Sequence, residues 1–464
     1  MMSCFNLKTW LLSLVFLSYL LSLSHGIPNK EFRVRAVNLG GWLVTEGWIK
    51  PSLFDGIPNK DFLLWRLNEN SFRFRVFNNQ FVGLDGINVV AVSSVSTDSE
   101  KFHFVKEGGN SSLVRIKSSN GYFIQAKTED LVTADVSEVN GWGEDDPTIF
   151  VLTITSRFQG EFQVTNGYGP RKAPQVMKKH WRTFIVKEDF KFIASNGLNA
   201  VRIPVGWWIA SDPTPPSPYV EGSLNALDNA FLWAQEYGLK IIIDLHAAPG
   251  SQNGYEHSSS RDGSQDWGKT DQNIQQTLHV IDFLTARYAN SPSLYAIELL
   301  NEPRAPGATI ENLTKYYKAG YEAVRRHSHT AYVVLSTRLG TSNSREILPI
   351  ASGLNRSVID VHYYNLFEPQ LNNITVQQNI DFILTNRSSQ LNSVTTSNGP
   401  LTFVGEWVAE WQIEGAMQKD YEAFAKAQLD VYRRATFGWA YWTFKNIRNH
   451  WSLEWMIKNG YIKL

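Results

Sequence analysis

Residues 294–327 read "LYAIELLNEPRAPGATIENLTKYYKAGYEAVRRH". The first eight are an apolar, strand-like run that ends just before Glu302 and Pro303, and the segment from Asn312 onward is amphipathic with helical spacing. A short β-type run followed by an amphipathic helix is half of a βαβ unit. The pairing recurs from residue 180 on. Further strand candidates are "NAVRIPV" (199–205), "LKIIIDLH" (239–246), "AYVVLST" (331–337), "VIDVHYY" (358–364), "LTFVGEW" (401–407) and "GWAYWTF" (438–444). Helical stretches such as "SLNALDNAFLWAQEYG" and "MQKDYEAFAKAQLDVYRRA" separate them. An eighth strand, "RVRAVNLGGWL" (33–43), stands far upstream. Eight βα units close a (β/α)8 barrel, so an α/β TIM-barrel fold is expected, its interior filled by inward side chains of these strands.

The long gap after the first strand needs its own explanation. Residues 66–178 lack helical periodicity and carry short β-type pieces: "SFRFRVF", "NVVAVSS", "KFHFVKE", "LVRIKSS", "YFIQAK", "TIFVLTI" and "EFQVTN". Turn signals such as Asn120-Gly121 and Gly108-Gly109 separate them. A segment of that length is not a structureless loop, so an all-β domain inserted after the first strand is expected. The layout is then a first barrel part at 30–65, the insertion at 66–178 and the rest of the barrel at 179–464.

The chain has 464 residues, 43% hydrophobic and 19% charged, with a formal net charge of zero. That balance suits a packed globular protein and gives no reason to expect nucleic acid or an anionic membrane as partner. The 16 Trp and 18 Tyr suit a large core, and also suit sugar binding, where flat rings stack on pyranose faces. Residues 1–24 read as a signal peptide: Lys8 precedes "WLLSLVFLSYLLSLS", with Ser22 and Ser24 as small residues for cleavage. The single cysteine, Cys4, lies within it, so a mature chain without disulfides is expected. Five N-x-S/T sequons, at Asn110, Asn312, Asn355, Asn373 and Asn386, fit a secreted glycoprotein with no membrane attachment after signal removal.

Reacting groups in such a barrel come from the C-terminal ends of the strands. Those ends offer Glu46, Arg202, Asp244, His246, Asn301, Glu302, His362, Tyr364, Glu406 and Trp442. Glu298 and Glu302, four apart, face one side of a strand, with Glu298 deeper. A buried carboxylate is costly unless paired, so Glu298 is expected in a structural ion pair or hydrogen bond. Glu302 reaches the mouth. Glu406 ends the seventh strand, while Glu410 falls beyond it in the loop. Two mouth carboxyls on facing strands suit glycosidic-bond hydrolysis, one as nucleophile and one as proton donor. Arg202 would keep Glu406 ionised, and Tyr364 would donate a hydrogen bond to it. His327-Ser328-His329 has ligand-like spacing but precedes a strand, at the other end of the barrel, and no HExxH motif occurs. No metal or cofactor is expected.

Taken in order, "VNLGGWLVTEGW", "VRIPVGWW", "DLHAAPGSQNG", "ELLNEPR", "HYYNLF", "GEW" and "YWTFKN" resemble glycoside hydrolase family 5, near the exo-β-1,3-glucanases. The inserted module resembles the fascin-like, β-trefoil-type domain of plant members. The resemblance implies Glu302 as acid/base and Glu406 as nucleophile of a retaining β-glucosidase on cell-wall β-glucan or β-glucosides. It implies Asn301 at the sugar 2-hydroxyl and Arg202, His362 and Tyr364 around the nucleophile. It also implies His246 in the same subsite, Trp442 as stacking platform and Glu46 at the terminal sugar. A monomer is expected. The alternatives are a catalytically weak glycan-binding protein and a transglycosylase using the same residues.

Overall fold

The computed structural model describes residues 32–57, 65–68, 70–74, 80–93, 95, 97–108, 113–128, 130–143, 145–151, 158–341, 343–371 and 374–464. Its contacts divide the chain into Met1–Arg33 and Val34–Leu464, and the architecture below is that of the second part. The signal-peptide reading and the sequons at Asn110 and Asn373 fall outside the described residues.

In chain order the strands are β1 (Val34–Asn38), β2 (Trp65–Arg66), β3 (Ser71–Arg73), β4 (Phe81–Asp85), β5 (Asn88–Ser93) and β6 (Phe102–Lys106). Then come β7 (Leu113–Lys117), β8 (Phe123–Thr128), β9 (Leu131–Val136), β10 (Phe150–Val151), β11 (Ala200–Gly206) and β12 (Lys240–Ala247). The last are β13 (Leu294–Glu298), β14 (Tyr332–Ser336), β15 (Ser357–Tyr363), β16 (Leu401–Trp407) and β17 (Gly438–Tyr441). Strands β1 and β11 to β17 close a parallel barrel in sequence order, as the strand–helix alternation requires.

The strand after which the fold was read explains how the wall is built. Helix Ile310–His327 follows β13, and Thr309 caps it by accepting from Asn312 N–H, a device worth about 1 kcal/mol. Its buried residues Leu313, Tyr316, Tyr317, Gly320, Ala323 and Val324 recur every three to four positions and face the barrel. Tyr317 Oη donates to Ser336 O at 2.8 Å, satisfying the phenol's polar end inside the packing. A Cβ on Gly320 would sit 3.0 Å from Leu299, so glycine lets this helix lie close to the strand.

Inside the barrel the period of two is legible strand by strand. Ala36, Ala200, Ile242, Ala296, Val334, Val358 and Phe403 belong to one apolar cluster. Two residues further along each strand stand Asn38, Arg202, Asp244, Glu298, Ser336, Asp360 and Gly405. An apolar plug therefore fills the N-terminal half of the interior, and a polar layer lies directly on it. Every polar side chain of that layer is at most 1% exposed.

The remaining strands form a separate antiparallel sheet in the order β2-β3-β6-β7-β8-β9-β5-β4, with β10 on β7. Phe72, Phe102, Phe104, Val114, Ile116, Ile124 and Ala134 form its own small core. The sequence reading placed a further β piece at "EFQVTN" (161–166); these residues instead begin a helix, Glu161–Thr183. Phe162 and Val164 alternate with polar neighbours and imitate a strand. Gly169, at φ 73°, with Pro170 and Pro174, interrupts the helical period that would have corrected it. Just before this helix the chain is tied to the loop after β1: Gly160 bridges to Glu46, and Gly47 N–H donates to Gln159 O at 2.7 Å. Glu161 is 1% exposed, its Oε2 accepting from Thr45 N–H at 3.0 Å. Burial pushes its pKa up to about 7. Among the described residues, no helix is long and apolar enough to cross a membrane.

Candidate active site

Arg202 is the centre of the polar layer. It starts one step below Asp244 and Glu298, because Pro204, not Arg202, is level with Asp244 and Asp244 is level with Glu298. Its long side chain spans that step. Nε and Nη2 donate to the two oxygens of Glu298 at 2.7 and 2.9 Å, a bidentate pair at zero exposure. Nη1 donates to Asn38 Oδ1 at 2.9 Å and to Glu406 Oε1 at 3.1 Å, and Nη2 to Asn301 Oδ1 at 2.8 Å. Asp244 Oδ2 lies 3.2 Å from Nη1. The guanidinium was expected beside Glu406, and Glu298 in a buried ion pair or hydrogen bond; both contacts are present. Its bidentate partner is Glu298, and Glu406 receives a single contact, because Glu298 points into the layer that the guanidinium occupies. Burial pushes Glu298 well up, aided by Asp244 and Asp360 and opposed by Arg202.

The β13 end turns sharply. Glu302 has φ 44°, a conformation unfavourable for a residue with a Cβ, and it precedes a proline. Neighbours hold it there: its N–H donates to Ser336 Oγ at 3.2 Å, and Asn253 Nδ2 donates to its carbonyl at 3.2 Å. Gln252 links the neighbouring strand ends, Nε2 donating to His246 O at 2.7 Å and Asn301 O at 2.8 Å. The turn carries the Glu302 carboxylate over the polar layer, where His362 Nδ1 reaches its Oε1 at 2.7 Å.

His362 connects the two mouth carboxylates. Nδ1 is 2.7 Å from Glu302 and 3.5 Å from Glu406 Oε2, and Nε2 is 3.1 Å from Asp360 Oδ2. Read from sequence as a neighbour of Glu406, the ring is in fact closer to Glu302. Burial alone would lower its pKa, but the charges of Glu406 and Asp360 raise it well above the usual histidine value. Burial works upward on Glu302 too, yet the hydrogen bond and charge of His362 bring it down to about 2. Glu406 is raised by burial and by the charge of Glu302, with His362 and Arg202 opposing. Tyr364 Oη donates to Glu406 Oε2 at 2.6 Å, as the sequence suggested. One oxygen of each carboxylate and a ring nitrogen of His362 all lie within 4.8 Å of one another, so the three titrate as a unit.

Above them is a cavity of about 680 Å³. Glu46, His246, Glu302, His362, Tyr364, Glu406 and Trp442 all line it, while Arg202 and Asn301 support it from beneath. His246 and Trp442 stack at 5.4 Å and 8°. Trp48 Nε1 donates to Glu46 Oε2 at 2.9 Å. Glu46 Oε1, on a residue of the cavity wall, and Asn301 Nδ2, on a residue beneath it, are buried polar atoms without a protein partner. Glu410 lies away from the cavity with His450 Nδ1 at 3.2 Å, and His327 pairs with Asp282 at an exposed helix end. Asn355 and Asn386 are exposed; Asn312 is half-buried and donates to Gly268 O at 2.8 Å.

Sequence reasoning missed several lining groups. Trp48, Trp451, Phe158 and His257 come from loops and turns, not strand ends. Asp360 had a signal, standing two residues before His362 on the inward face.

Comparison with known proteins places this site in a family. The model of cellulases of glycosyl hydrolase family 5 matches residues 166–447, and the chain belongs to that family; it is a glycoside hydrolase. Curated relatives carry more specific names. A glucan 1,3-beta-glucosidase of Blumeria graminis is 34% identical over 61% of this chain and 74% of its own length. A probable glucan 1,3-beta-glucosidase A of Emericella nidulans is 32% identical over 65% and 82%. Residues 57–155 match a domain of unknown function, DUF7910. The crystal structure of rutinosidase from Aspergillus niger shares the fold with a TM-score of 0.63 at 18% identity, covering 94% of this chain and 99% of that one.

Proposed function

We propose that the chain is a secreted, retaining β-glycosidase, acting on β-1,3-glucan of cell walls or on related β-glucosides. The proximity of Glu302 and Glu406, with nearest oxygens inside 4.8 Å, carries this reading. It suits the spacing of about 5–5.5 Å of a retaining pair better than the wider gap an inverting enzyme needs for its water. In the reading, Glu302 is the acid/base and Glu406 the nucleophile. Arg202 and Tyr364 donate to the two oxygens of Glu406 and favour its ionised form. Without sugar, His362 holds Glu302 low while Glu406 is raised, the reverse of the forms the first step requires; the reading has the proton move onto Glu302 when substrate binds, which removes the like charge that raises Glu406.

Glu406 then attacks the anomeric carbon as Glu302 protonates the departing oxygen. Water, deprotonated by Glu302, releases the sugar in the second step. Asn301 Nδ2 and Glu46 Oε1 have hydrogen-bonding capacity to spare for sugar hydroxyls, and Trp442 offers a face for stacking. The relatives' names support glucan as substrate. Secretion, glycosylation at the sequons, a monomeric state and a fascin-like nature for the insertion belong to the same proposal.

The test is chemical. Glu406→Ala should lose turnover by about 10⁴-fold or more, and azide should restore it by forming a glycosyl azide. NMR of the wild-type reaction on laminari-oligosaccharides should find the β-anomer first. Rescue at Glu410→Ala instead, or an α-anomer released first, overturns the assignment.

A further inference from the structure

The proton donor decides which end of the cavity holds which half of a substrate. A departing oxygen lies beside Glu302, on the side of the mouth lined by Arg304 after β13 and Gly340 after β14. The sugar that stays on the enzyme, the glycone, then lies toward Glu46 and Trp48 after β1 and Trp442 after β17, across the mouth.

That glycone end is closed by the segment that leaves the inserted sheet. Gly47 N–H donates to Gln159 O at 2.7 Å and Gly160 bridges to Glu46, so main chain pairs directly with main chain along the rim. The same segment grips the loop after β12. Gln159 N–H donates to Glu256 Oε2 at 3.2 Å, Phe162 N–H to Ser259 Oγ at 3.1 Å, and Gln163 Nε2 to Ser260 O at 2.9 Å. The approach leaves no room for side chains: a Cβ on Gly47 would lie 2.3 Å from Gln159 Oε1, and one on Gly160 would lie 2.3 Å from Glu256 O. Toward β17 the wall continues through Trp48, packed edge-on against Trp451 at 4.8 Å. Phe158 is half-buried in this wall and lines the cavity, and a Cβ on Gly263 of the β12 loop would lie 3.4 Å from its Cζ. A longer glycone would have to pass where these backbone bonds and this ring already stand.

We infer that Phe158 is a specificity-determining residue: it closes the glycone end of the cavity, so that one terminal sugar is accepted and a second unit beyond it is refused. The inference rests on reading the chain as a retaining β-glycosidase with Glu302 as proton donor. The barrel strands supply the reacting carboxylates, and the residues that follow the antiparallel sheet set how much sugar fits before the bond to be cut. The Phe158 ring makes none of the hydrogen bonds that hold the rim. Removing the ring therefore opens the wall without undoing the join.

The test compares wild type, Phe158→Ala and Phe158→Trp on 4-nitrophenyl β-glucoside and on 4-nitrophenyl β-diglucosides linked 1,3, 1,4 and 1,6. Intact disaccharide release is followed by chromatography. The ratio of kcat/KM for disaccharide release to that for glucose release is read on one enzyme sample, so a misfolded fraction cancels. Wild type should release intact disaccharide at least about 100-fold less efficiently than glucose, and Phe158→Ala should raise the ratio about tenfold for at least one linkage. Phe158→Trp should keep it low. A wild type that releases intact disaccharide as readily as glucose overturns the inference. So does a ratio that stays unmoved or falls in Phe158→Ala, or rises equally in Phe158→Trp. Glu302→Ala and Glu406→Ala are the controls for the underlying reading. If both lose 4-nitrophenol release and Phe158→Ala leaves the ratio unmoved, the inference alone falls; if either keeps the wild-type rate, the reading beneath it falls.

Discussion

Replacing Glu161 by Gln should make the protein more stable, and only on the alkaline side. The carboxyl is 1% exposed, and burial raises its pKa from 4.5 to about 7. In the unfolded chain it ionises near 4.5, so the unfolded state gains free energy from ionisation over a range in which the folded state keeps its proton. Folding stability is therefore undiminished below about pH 4.5, falls as pH rises, and levels off above about pH 7. The gap between 4.5 and about 7, at about 1.4 kcal/mol per pH unit, amounts to about 3 kcal/mol. Glutamine keeps an oxygen for Thr45 N–H and cannot ionise. Guanidinium unfolding, followed by tryptophan fluorescence at pH 4 and pH 8, measures the difference between variant and wild type. A gain of about 3 kcal/mol at pH 8 with almost none at pH 4 is expected. A gain equal at both pH values, or a loss at pH 8, would refute the argument, since neither follows from ionisation of a buried acid.

Gly405→Ala should damage the site through Asp360: the new Cβ would lie 2.2 Å from Asp360 Oδ2, the atom that backs His362. A loss of about 10- to 100-fold in kcat/KM, with about 1–3 kcal/mol of stability, is expected from steady-state kinetics and urea unfolding. Arg202→Leu should cost about 3–5 kcal/mol because it leaves Glu298 buried and unpaired. Glu298→Gln should cost clearly less, since Arg202 still has Asp244, Glu406, Asn38 and Asn301. Urea unfolding of the two variants decides the order.

The barrel was legible because each of its strands is an apolar run that ends in a polar or aromatic group. The antiparallel sheet was legible as β-type pieces, since period-two patterning survives without knowledge of pairing. What misled was the same pattern at Phe162 and Val164, where a helix begins and Gly169 and the two prolines hide its period. In the site, strand ends led directly to Glu46, His246, Glu302, His362, Tyr364, Glu406 and Trp442, which converge on one cavity. The depth of Glu298 below Glu302 was read correctly, but the partner of the Arg202 fork was not. Which carboxylate takes the Arg202 fork depends on the stagger of neighbouring strands, and that is a property of closure, not of any one strand. His257 gave no signal because a short turn between Tyr255 and Ser259 presents it, away from every strand end.

The seam between sheet and barrel also limits how the chain can be taken apart. Phe158 stands in the cavity wall, and the helix that follows serves the catalytic half: Trp42 Nε1 donates to Trp181 O at 2.9 Å, and His180 Nε2 contacts Gly41 O at 3.0 Å. A truncation that resumes the chain at residue 179 would keep His180 and Trp181 but remove Gln159, Gly160 and Glu161, which hold Gly47, Glu46 and Thr45 of the loop after β1. One that resumes at Phe158 would retain them. The antiparallel sheet can therefore be exchanged as a cassette only if the cut falls before Phe158, since the residues just beyond that point already belong to the pocket's own frame.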